Sequence, residues 1–526
     1  MYGFIFMAEK AWEAKIYPDH GWGGKNGDIT DAVFHNKFIY AKNQAEKILS
    51  VTLNDIASRI KVEKSKGIPV VVFNSLSWLR DDPAECTIKL KKGEARSLKL
   101  IDDNGTAIQV QLGNVEYFED NSIKEADIHF IAEGIPSIGY KTFYVKVSND
   151  LTHKKKDVFK NSYENKFYKV KFDDGGLSSI YDRELGKELI NNRSFNAGEV
   201  FTMHSEGTGA GEFADIQQPD MKNFDREANY ASNWKIIESG EVYTCFENRQ
   251  PIRNAVVEQK IFIYKNIKRI DFVINLLNYE GVLYREYRMA LPLNMTNGQV
   301  SYEVPFGVVN AGKDEIKGAA GERYTTICKD IHPRSIENWI GADDNDFGVT
   351  LTSSVAVADY IDPTDSLNKN NLLQPLLLAS RRSCHYQGNE YLQTGDHLFE
   401  FSLTSHNPGW KNGSRFGRQT NEKLMVVVDP DTYKDANLPE QLSFFKCDNE
   451  NVIISTVKKA EDEPAVVIRA YNISDQDVES GIRSFKHFIS GNLTNLLEEK
   501  QKALQLKDGI INYKFGKNSI ETFMVK

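Results

Sequence analysis

The first sixty residues carry apolar side chains at the spacing of an α-helix. Residues 5–15 mix apolar side chains with Glu and Lys, which predicts a short helix. Asp28 and Thr30 both suit an N-cap, and they precede a longer pattern. In that pattern apolar residues recur at three- and four-residue steps: Phe34, Phe38, Ala41, Ala45, Leu49, Leu53, Ile56 and Ile60. The spacing predicts an amphipathic helix of about thirty residues, roughly 45 Å long, whose apolar stripe needs neighbouring elements to cover it.

After residue 67 the apolar period changes from helical to alternating. Val70–Phe73 has the composition of a short buried strand, and later segments alternate apolar and polar residues between Gly, Asn and Asp. Clear examples of such segments lie at residues 86–92, 168–174, 260–265 and 424–430. Strands that recur about every ten residues are typical of β-sandwich architecture.

These patterns predict a mainly β fold with a short helical amino-terminal segment followed by several β-sandwich domains. A chain of 526 residues is too long for one core and should divide into a few domains. We place the end of a helical domain at residues 1–64, a small β-domain at 65–152, a large β-sandwich at 153–432 and a terminal β-sandwich at 433–526. The hydrophilic segment at 153–157 is the best candidate for a linker.

Charge and composition narrow the classes of partner. The formal net charge of −9 disfavours a nucleic-acid partner, because phosphate backbones are bound mainly by clustered Lys and Arg. No apolar run approaches the roughly 18 residues that a membrane helix needs. The five cysteines are scattered singly, which supports neither a disulfide framework nor a zinc ribbon. A neutral substrate fits this composition best.

Several segments in sequence order resemble glycoside hydrolase family 38, the family of α-mannosidases. The most specific is ENKFYKVKFDDGGLSSIYDRELGKEL at residues 164–188, in which Asp174-Gly175-Gly176 predicts a tight turn between two strands. The other segments are VVVFNSLSWLR (70–80), RSIENWIGADDNDFGVTL (334–351), LLLASRR (376–382), TGDHLFEFSLTSH (394–406) and VVIRAYNIS (466–474). Together they span nearly the whole chain, and their shared order makes a chance match improbable.

The resemblance implies a zinc-dependent retaining α-mannosidase whose large sandwich is of the galactose-mutarotase-like supersandwich type. Such enzymes use two carboxylates about 5 Å apart, one as nucleophile and one as acid/base. In the family the nucleophile and three of the four zinc ligands lie in an amino-terminal barrel, which this chain does not match. We therefore expect the chain to be the carboxy-terminal part of such an enzyme, with no catalytic residue and no activity of its own. The expected true amino terminus precedes Met1, so the sequence indicates no compartment.

The resemblance also implies candidate site residues. It places the fourth zinc ligand at His20, within the Gly-rich segment 12–31; the alternative is a loop His that caps the following helix. Asp19 is a candidate to orient His20 or to cap a turn. Trp22 is a candidate to stack on a sugar or to pack a helix end. Arg382 lies in a segment that the family places near the barrel, and it is a possible sugar contact.

Two other classes of protein remain open from the sequence. One is a stand-alone carbohydrate-binding β-sandwich protein, and a less favoured one is a polysaccharide lyase-type sandwich, which the mannosidase-like segment at 12–31 argues against. In each case the expected partner is a carbohydrate, and for the mannosidase it is a mannose-containing glycan. The DNA upstream of Met1 discriminates the mannosidase from the stand-alone carbohydrate-binding protein, because a mannosidase requires an in-frame segment encoding an H-x-D pair.

Overall fold

The computed structural model describes residues 2–16, 28–150, 158–206, 218–314, 333–365, 369–382 and 390–526. Helices α1 (Tyr2–Lys15) and α2 (Asp28–Ser58) pack on each other, as the helical periodicity predicts. Thr30 lies inside the first turn of α2, so of the two predicted caps only Asp28 stands at the helix start. None of the described helices is both long and apolar enough to cross a membrane.

The mainly β prediction is confirmed, and the strands group around three principal cores. One core lies between two sheets of described strands, and the end of α2 packs on the opposite face of the first of them. One sheet runs in the order Met425–Val428, Ile68–Asn74, Gly139–Ser148, Ser97–Asp102 and Ala107–Ile108, with Gln441–Ser443 also on Gly139–Ser148. The other, hereafter the three-stranded sheet, runs in the order Arg80–Lys89, Ile123–Ile135 and Val110–Tyr117.

Met425–Val428 belongs to a different sheet from the one that sequence order suggests. We predicted it within the large sandwich, but it pairs antiparallel with Ile68–Asn74, with Val70 opposite Val428 and Phe73 opposite Met425. The pairing adds an apolar strand beside the buried run of Ile68–Asn74, so its side chains extend that core.

The large sandwich is built from two facing sheets that share one core. The sheet hereafter called the nine-stranded sheet contains the described strands Lys235–Ser239, Tyr243–Ile252, Ala255–Tyr264, Ile270–Tyr279, Gly395–His406, Gly348–Ser353, Trp339–Asp343, Gln299–Val304 and Gly307–Asn310. The facing sheet contains Gln218–Pro219, Val200–Glu206, Arg285–Met289, Asn370–Ala379, Val357–Asp359 and Arg334–Ser335, with Asp225–Arg226 and Leu291–Thr296 at its sides. This double-sheet arrangement agrees with the predicted supersandwich.

Smaller groups of described strands complete the chain. A four-stranded sheet in the large sandwich has the order Lys187–Glu188, Gly176–Asp182, Tyr168–Asp173 and Ser162–Glu164, and Arg381–Arg382 pairs with Glu390–Tyr391. The terminal sandwich has one sheet of Phe445–Cys447, Val478–Ser484, Ile510–Phe515 and Leu506–Lys507. Its other sheet contains Val452–Lys459, Val466–Asn472, Ile520–Val525, Gly491–Thr494 and Lys500–Ala503.

A third helix, α3 (Lys411–Gln419), was not predicted from the sequence. Its buried face carries Gly413 and Gly417 rather than large apolar residues. A Cβ on Gly417 would lie 2.3 Å from the Trp339 ring, and one on Gly413 would lie 1.9 Å from Thr350 Oγ1. The helix therefore packs by close backbone approach, and its buried positions carry none of the large apolar side chains by which a buried helix face is usually recognised.

Candidate functional site

The structure describes only one of the four predicted site residues. His20, Asp19 and Trp22 lie outside the described residues, as does the predicted linker at 153–157. Arg382 lies in the short strand Arg381–Arg382 and forms an ion pair with Glu390 on the paired strand. Among the described residues there is no group of three or more His, Cys, Asp or Glu side chains that could hold a metal ion.

The Asp174-Gly175-Gly176 turn, the most specific motif of the sequence, has a structural role. Gly175 has φ of +78°, and a Cβ there would lie 2.7 Å from the Cβ of Glu227. The Asp174 carboxylate accepts a hydrogen bond of 2.7 Å from the backbone N–H of Ser232, whose hydroxyl accepts one of 2.8 Å from the N–H of Gly175. Only glycine fits this backbone conformation at this distance from a neighbouring segment.

Beneath this turn lie two fully buried carboxylates with contrasting surroundings. Glu199 accepts two hydrogen bonds of 2.6 Å from Arg226. Burial raises the pKa of Glu227 well above its ordinary value, and the charge of Glu199 adds to this effect. Two carboxyl groups in contrasting surroundings are the combination that glycosidases use. Both side chains are fully buried, however, so no substrate reaches them and the pair is structural.

A chain of buried charges lies where Arg285–Met289 meets Asn370–Ala379. Glu286 lies between two cations: Arg288, whose Nε is 2.6 Å from its carboxylate, and Arg381 on its other oxygen. Arg288 also donates a 3.1 Å hydrogen bond to Asp359. Burial opposes ionisation of Glu286, but Arg288 and Arg381 together lower its pKa below the ordinary value. This chain of charges fixes Arg381 and thereby sets the position of Arg382, the next residue.

Aromatic and polar groups surround this point at the ends of neighbouring strands. His204 Nδ1 lies 2.8 Å from Asp220, and the His204 ring packs edge-on against Tyr284 at 5.9 Å. Burial acts to raise the pKa of Asp220, but hydrogen bonds from Lys222 and His204 outweigh this effect and lower the pKa to about 2. Tyr284 has φ of +61°, a strained conformation for a bulky residue that is frequent at functional sites.

We define this sheet end, containing His204, Tyr284, Arg381 and Arg382, as the candidate site edge. It offers hydrogen-bond donors and aromatic rings, which are suited to binding a sugar. Its buried carboxylate, Glu286, is held ionised by two arginines and is not available as an acid. The edge can therefore contribute to binding, but it contains no acid/base pair of the kind that hydrolysis needs.

The sequence analysis singled out Arg382 but missed Glu286 and Arg288, the buried residues that position Arg381 beside it. A signal for them was present in the strand Arg285–Met289, REYRM, in which every residue is buried. Charged residues are almost never fully buried unless they are paired. Three charged residues in one short β-forming segment therefore indicate an ionic network.

Comparison with known families identifies the chain. The family model described as "Glycosyl hydrolases family 38 C-terminal domain" matches residues 163–357. A second, described as "Glycosyl hydrolases family 38 C-terminal beta sandwich domain", matches residues 451–523. The chain belongs to glycosyl hydrolase family 38. The two matches fall in the large and terminal sandwiches, in the order that the sequence motifs of this family 38 chain predict.

Individual relatives agree with this assignment. Alpha-mannosidase G of Dictyostelium discoideum is 22% identical over 302 residues, which cover 55% of this chain and 26% of that protein. An α-mannosidase structure from Enterococcus faecalis V583 matches with a TM-score of 0.71 and 13% identity, covering 95% of this chain and 60% of that chain. A family 38 protein structure from E. faecalis matches with a TM-score of 0.73 and 13% identity, covering 99% and 68%.

The matched region covers a larger share of this chain than of its relatives. Nearly all of the family 38 chain superposes on the two bacterial structures, whereas it spans 60% to 68% of their length. It spans about a quarter of the Dictyostelium protein. At 13% identity the structural matches establish a shared fold.

Proposed function

We propose that this chain forms the carboxy-terminal part of a zinc-dependent retaining α-mannosidase that acts on α-mannosides in glycans. The observation that carries the proposal is the match of both family 38 carboxy-terminal domain models, in order, to the two sandwiches. The reaction is taken from the Dictyostelium relative and the E. faecalis V583 protein, both of which are named α-mannosidases. The candidate site edge, with His204, Tyr284 and Arg382, would contribute binding groups to the substrate pocket.

We further propose that this chain has no hydrolytic activity of its own. Retaining hydrolysis needs two accessible carboxyl groups about 5 Å apart, one to attack the sugar and one to protonate the leaving oxygen. Among the described residues, the best-matched acid and carboxylate are Glu227 and Glu199, which are fully buried. The reacting pair would therefore come from residues corresponding to the remaining length of the relatives.

The zinc part of the proposal rests on His20. The described residues do not fit zinc by themselves, because they contain no cluster of suitable ligands. Neutral imidazole is a good zinc ligand, and several glycines flank His20 in the sequence and would allow the backbone to approach a metal closely. We derive no reaction step through the metal.

Two measurements test the proposal. The purified chain is incubated with 4-nitrophenyl α-mannoside, and we expect no release of nitrophenol above background. Zinc-dependent turnover by this chain would place the reacting carboxylates within it and contradict the proposal. Next, DNA upstream of Met1 is sequenced, and the protein that it encodes together with this chain is assayed on the same substrate.

In that longer protein we expect His20→Ala to lower both bound zinc, measured by atomic absorption, and turnover. The control is His35→Ala, an exposed residue of α2. Equal zinc content in the two variants would show that His20 is a loop residue. Absence of mannosidase activity in the unmodified longer protein would reject the reaction itself.

A further inference from the structure

A cleft of about 520 Å³ lies between the three-stranded sheet and the outer face of the nine-stranded sheet. The outer face is the one turned away from the core of the large sandwich. The lining is completed by Gln419 at the end of α3 and by Thr420, Lys423 and Leu424 in the segment that follows it. The volume lies within the range of about 300–1,000 Å³ that is typical of small-molecule sites.

The wall formed by the nine-stranded sheet is a regular array of polar and apolar groups. Because side chains alternate across a strand, residues in cross-strand register share a face. One row on this face contains Cys245, Phe262, Asp271 and Ser402, and the next contains Lys260, Val273 and Glu400. Lys260 Nζ lies 3.7 Å and 3.8 Å from its nearest carboxylates, beyond hydrogen-bonding distance, so its N–H groups are available to a ligand.

The opposite wall carries a matching row on the three-stranded sheet. Gln111, His129 and Glu85 are direct cross-strand neighbours there. Gly113 makes room for the His129 ring, since a Cβ at that position would lie 2.8 Å from His129 Nε2. Gln111 connects the two walls by donating a 2.7 Å hydrogen bond to Glu238.

The charges of the cleft are close to balance, because its lining contains four Lys or Arg side chains and five carboxylates, most of them paired within the protein. Asp82 pairs with Arg80 at 2.6 Å and with Arg269 at 3.2 Å, and these groups are buried at one end. Lys423 and Glu400 pair with each other at 2.9 Å. A cleft whose charges are already compensated has little to attract an ionic ligand, but it keeps many hydrogen-bond donors and acceptors.

The apolar part of the cleft is aromatic. Tyr243 packs edge-to-face with Phe262, Tyr264 and His129, at centroid distances of 5.2, 5.8 and 5.5 Å. Phe262 is half-buried in this cluster and lines the cleft. A rigid aromatic surface beside polar groups is complementary to a pyranose ring, which has an apolar face and a hydroxyl-bearing rim.

Thr420 gives independent evidence of a ligand. Thr420 belongs to the cleft lining and is 6% exposed, yet its buried Oγ1 has no hydrogen-bond partner within the described part of the chain. Buried polar groups are hydrogen-bonded in the large majority of cases, so an exception in a cavity wall requires an explanation. A hydroxyl group of a bound molecule would supply the missing partner.

We propose that this cleft binds a segment of a neutral oligosaccharide, with a sugar ring against Phe262 and hydroxyl groups hydrogen-bonded to Lys260 and Thr420. Three observations lead to this ligand class: the compensated charges, the aromatic surface and the unpartnered buried hydroxyl. The site goes beyond the proposed hydrolysis, because it lies within this chain and requires neither a nucleophile nor a metal.

Calorimetric titration of the 526-residue chain tests the site directly. The probes are α-linked mannotriose and maltotriose, both neutral, with sodium sulfate as an ionic comparison. We expect heat of binding from at least one trisaccharide and none from sulfate. Lys260→Ala and Thr420→Val should each weaken the affinity about five- to tenfold, the effect of one lost hydrogen bond.

The matched control is Lys235→Ala. Lys235 pairs with Glu247, as Lys260 does, but it lies outside the cleft lining, so its loss should leave the affinity unchanged. Thermal unfolding of each variant establishes that it is folded. Thr420→Val replaces a hydroxyl that has no partner among the described residues with a methyl group of similar size, and it should keep the stability of the parent.

Two results would overturn the assignment. One is the absence of trisaccharide binding by the folded parent chain, and the other is binding that neither cleft variant weakens. The result does not depend on mannosidase activity. Failure of the proposed function leaves these titrations unaffected, and failure here leaves the assays of the longer protein unaffected.

Discussion

Glu303 gives the structure a testable dependence on pH. It lies on the strand Gln299–Val304, with Oε1 3.5 Å from Nε of Arg418 on α3. Arg418 in turn donates a 2.6 Å hydrogen bond to the hydroxyl of Tyr471 in the terminal sandwich. The other carboxylate oxygen of Glu303 is buried and has no hydrogen-bond partner among the described residues. Burial therefore raises the pKa of Glu303 from 4.5 to about 7, although Arg418 acts in the opposite direction.

The sign of the effect follows from linkage between protonation and folding. Because the pKa of Glu303 is higher in the folded chain than in the unfolded chain, its protonation favours folding. This stabilisation is fully present below pH 4.5 and is lost as the pH rises through 7. At about 1.4 kcal/mol per pKa unit, the difference amounts to about 3 kcal/mol. Glu303→Gln keeps a neutral side chain at every pH and should lack this loss.

The assay is urea unfolding at about pH 5 and about pH 8, followed by tryptophan fluorescence. Trp78 and Trp339 line the same small cavity as Glu303 and report on it. We compare the free energy of unfolding of Glu303→Gln with that of the parent at each pH. Between the lower and the higher pH this difference should shift in favour of the variant by most of the roughly 3 kcal/mol. Glu241→Gln, an exposed change whose charge does not act on Glu303, serves as the control. A stability difference that is the same at both pH values would refute the reasoning.

Two further substitutions test the interior of the large sandwich by urea unfolding. Gly175→Ala should destabilise the chain by more than Gly105→Ala, since both have positive φ but only Gly175 would also bring a Cβ to 2.7 Å from Glu227. We expect about 1–2 kcal/mol for the backbone alone and a further 1–3 kcal/mol for the contact, and equal losses would refute the close approach. Arg381→Met should cost about 1–3 kcal/mol, because one oxygen of Glu286 loses its partner while Arg288 stays on the other. Adding Glu286→Gln to Arg381→Met should recover part of this loss, and no recovery would argue against the charge pairing.

The sequence predicts elements well where the apolar pattern is strong. Helix α2 was predicted from its helical period although Phe38 and Leu49 are exposed, and the predicted segments 70–73 and 260–265 lie largely within the strands Ile68–Asn74 and Ala255–Tyr264. Helix α3 has glycines at its buried positions, so its packing is visible only once Trp339 is placed against it. The sheet that Met425–Val428 joins is also invisible to periodicity, because an apolar run does not specify its partner.

The candidate site also has a part that the sequence predicted and a part that it could not. The Asp174-Gly175-Gly176 turn was recognised from its letters, but its role depends on Glu227, about fifty residues later in the chain and in contact only after folding. The cleft beside Phe262 could not be predicted, because its two walls come from different sheets whose relative placement no local pattern encodes. His20, Asp19 and Trp22 stay predictions, since they lie outside the described residues.

The pairing of Met425–Val428 with Ile68–Asn74 has a consequence for biosynthesis. Val70 leaves the ribosome long before its partner Val428, with the whole large sandwich between them. At about 5–20 residues per second, tens of seconds separate the two strands. Until then the edge of Ile68–Asn74 that later pairs with Met425–Val428 is an unpaired apolar template of the kind that chaperones protect. Translation stopped anywhere before residue 425 would leave that edge without this partner, so truncated chains should aggregate even when their upstream sequence is intact.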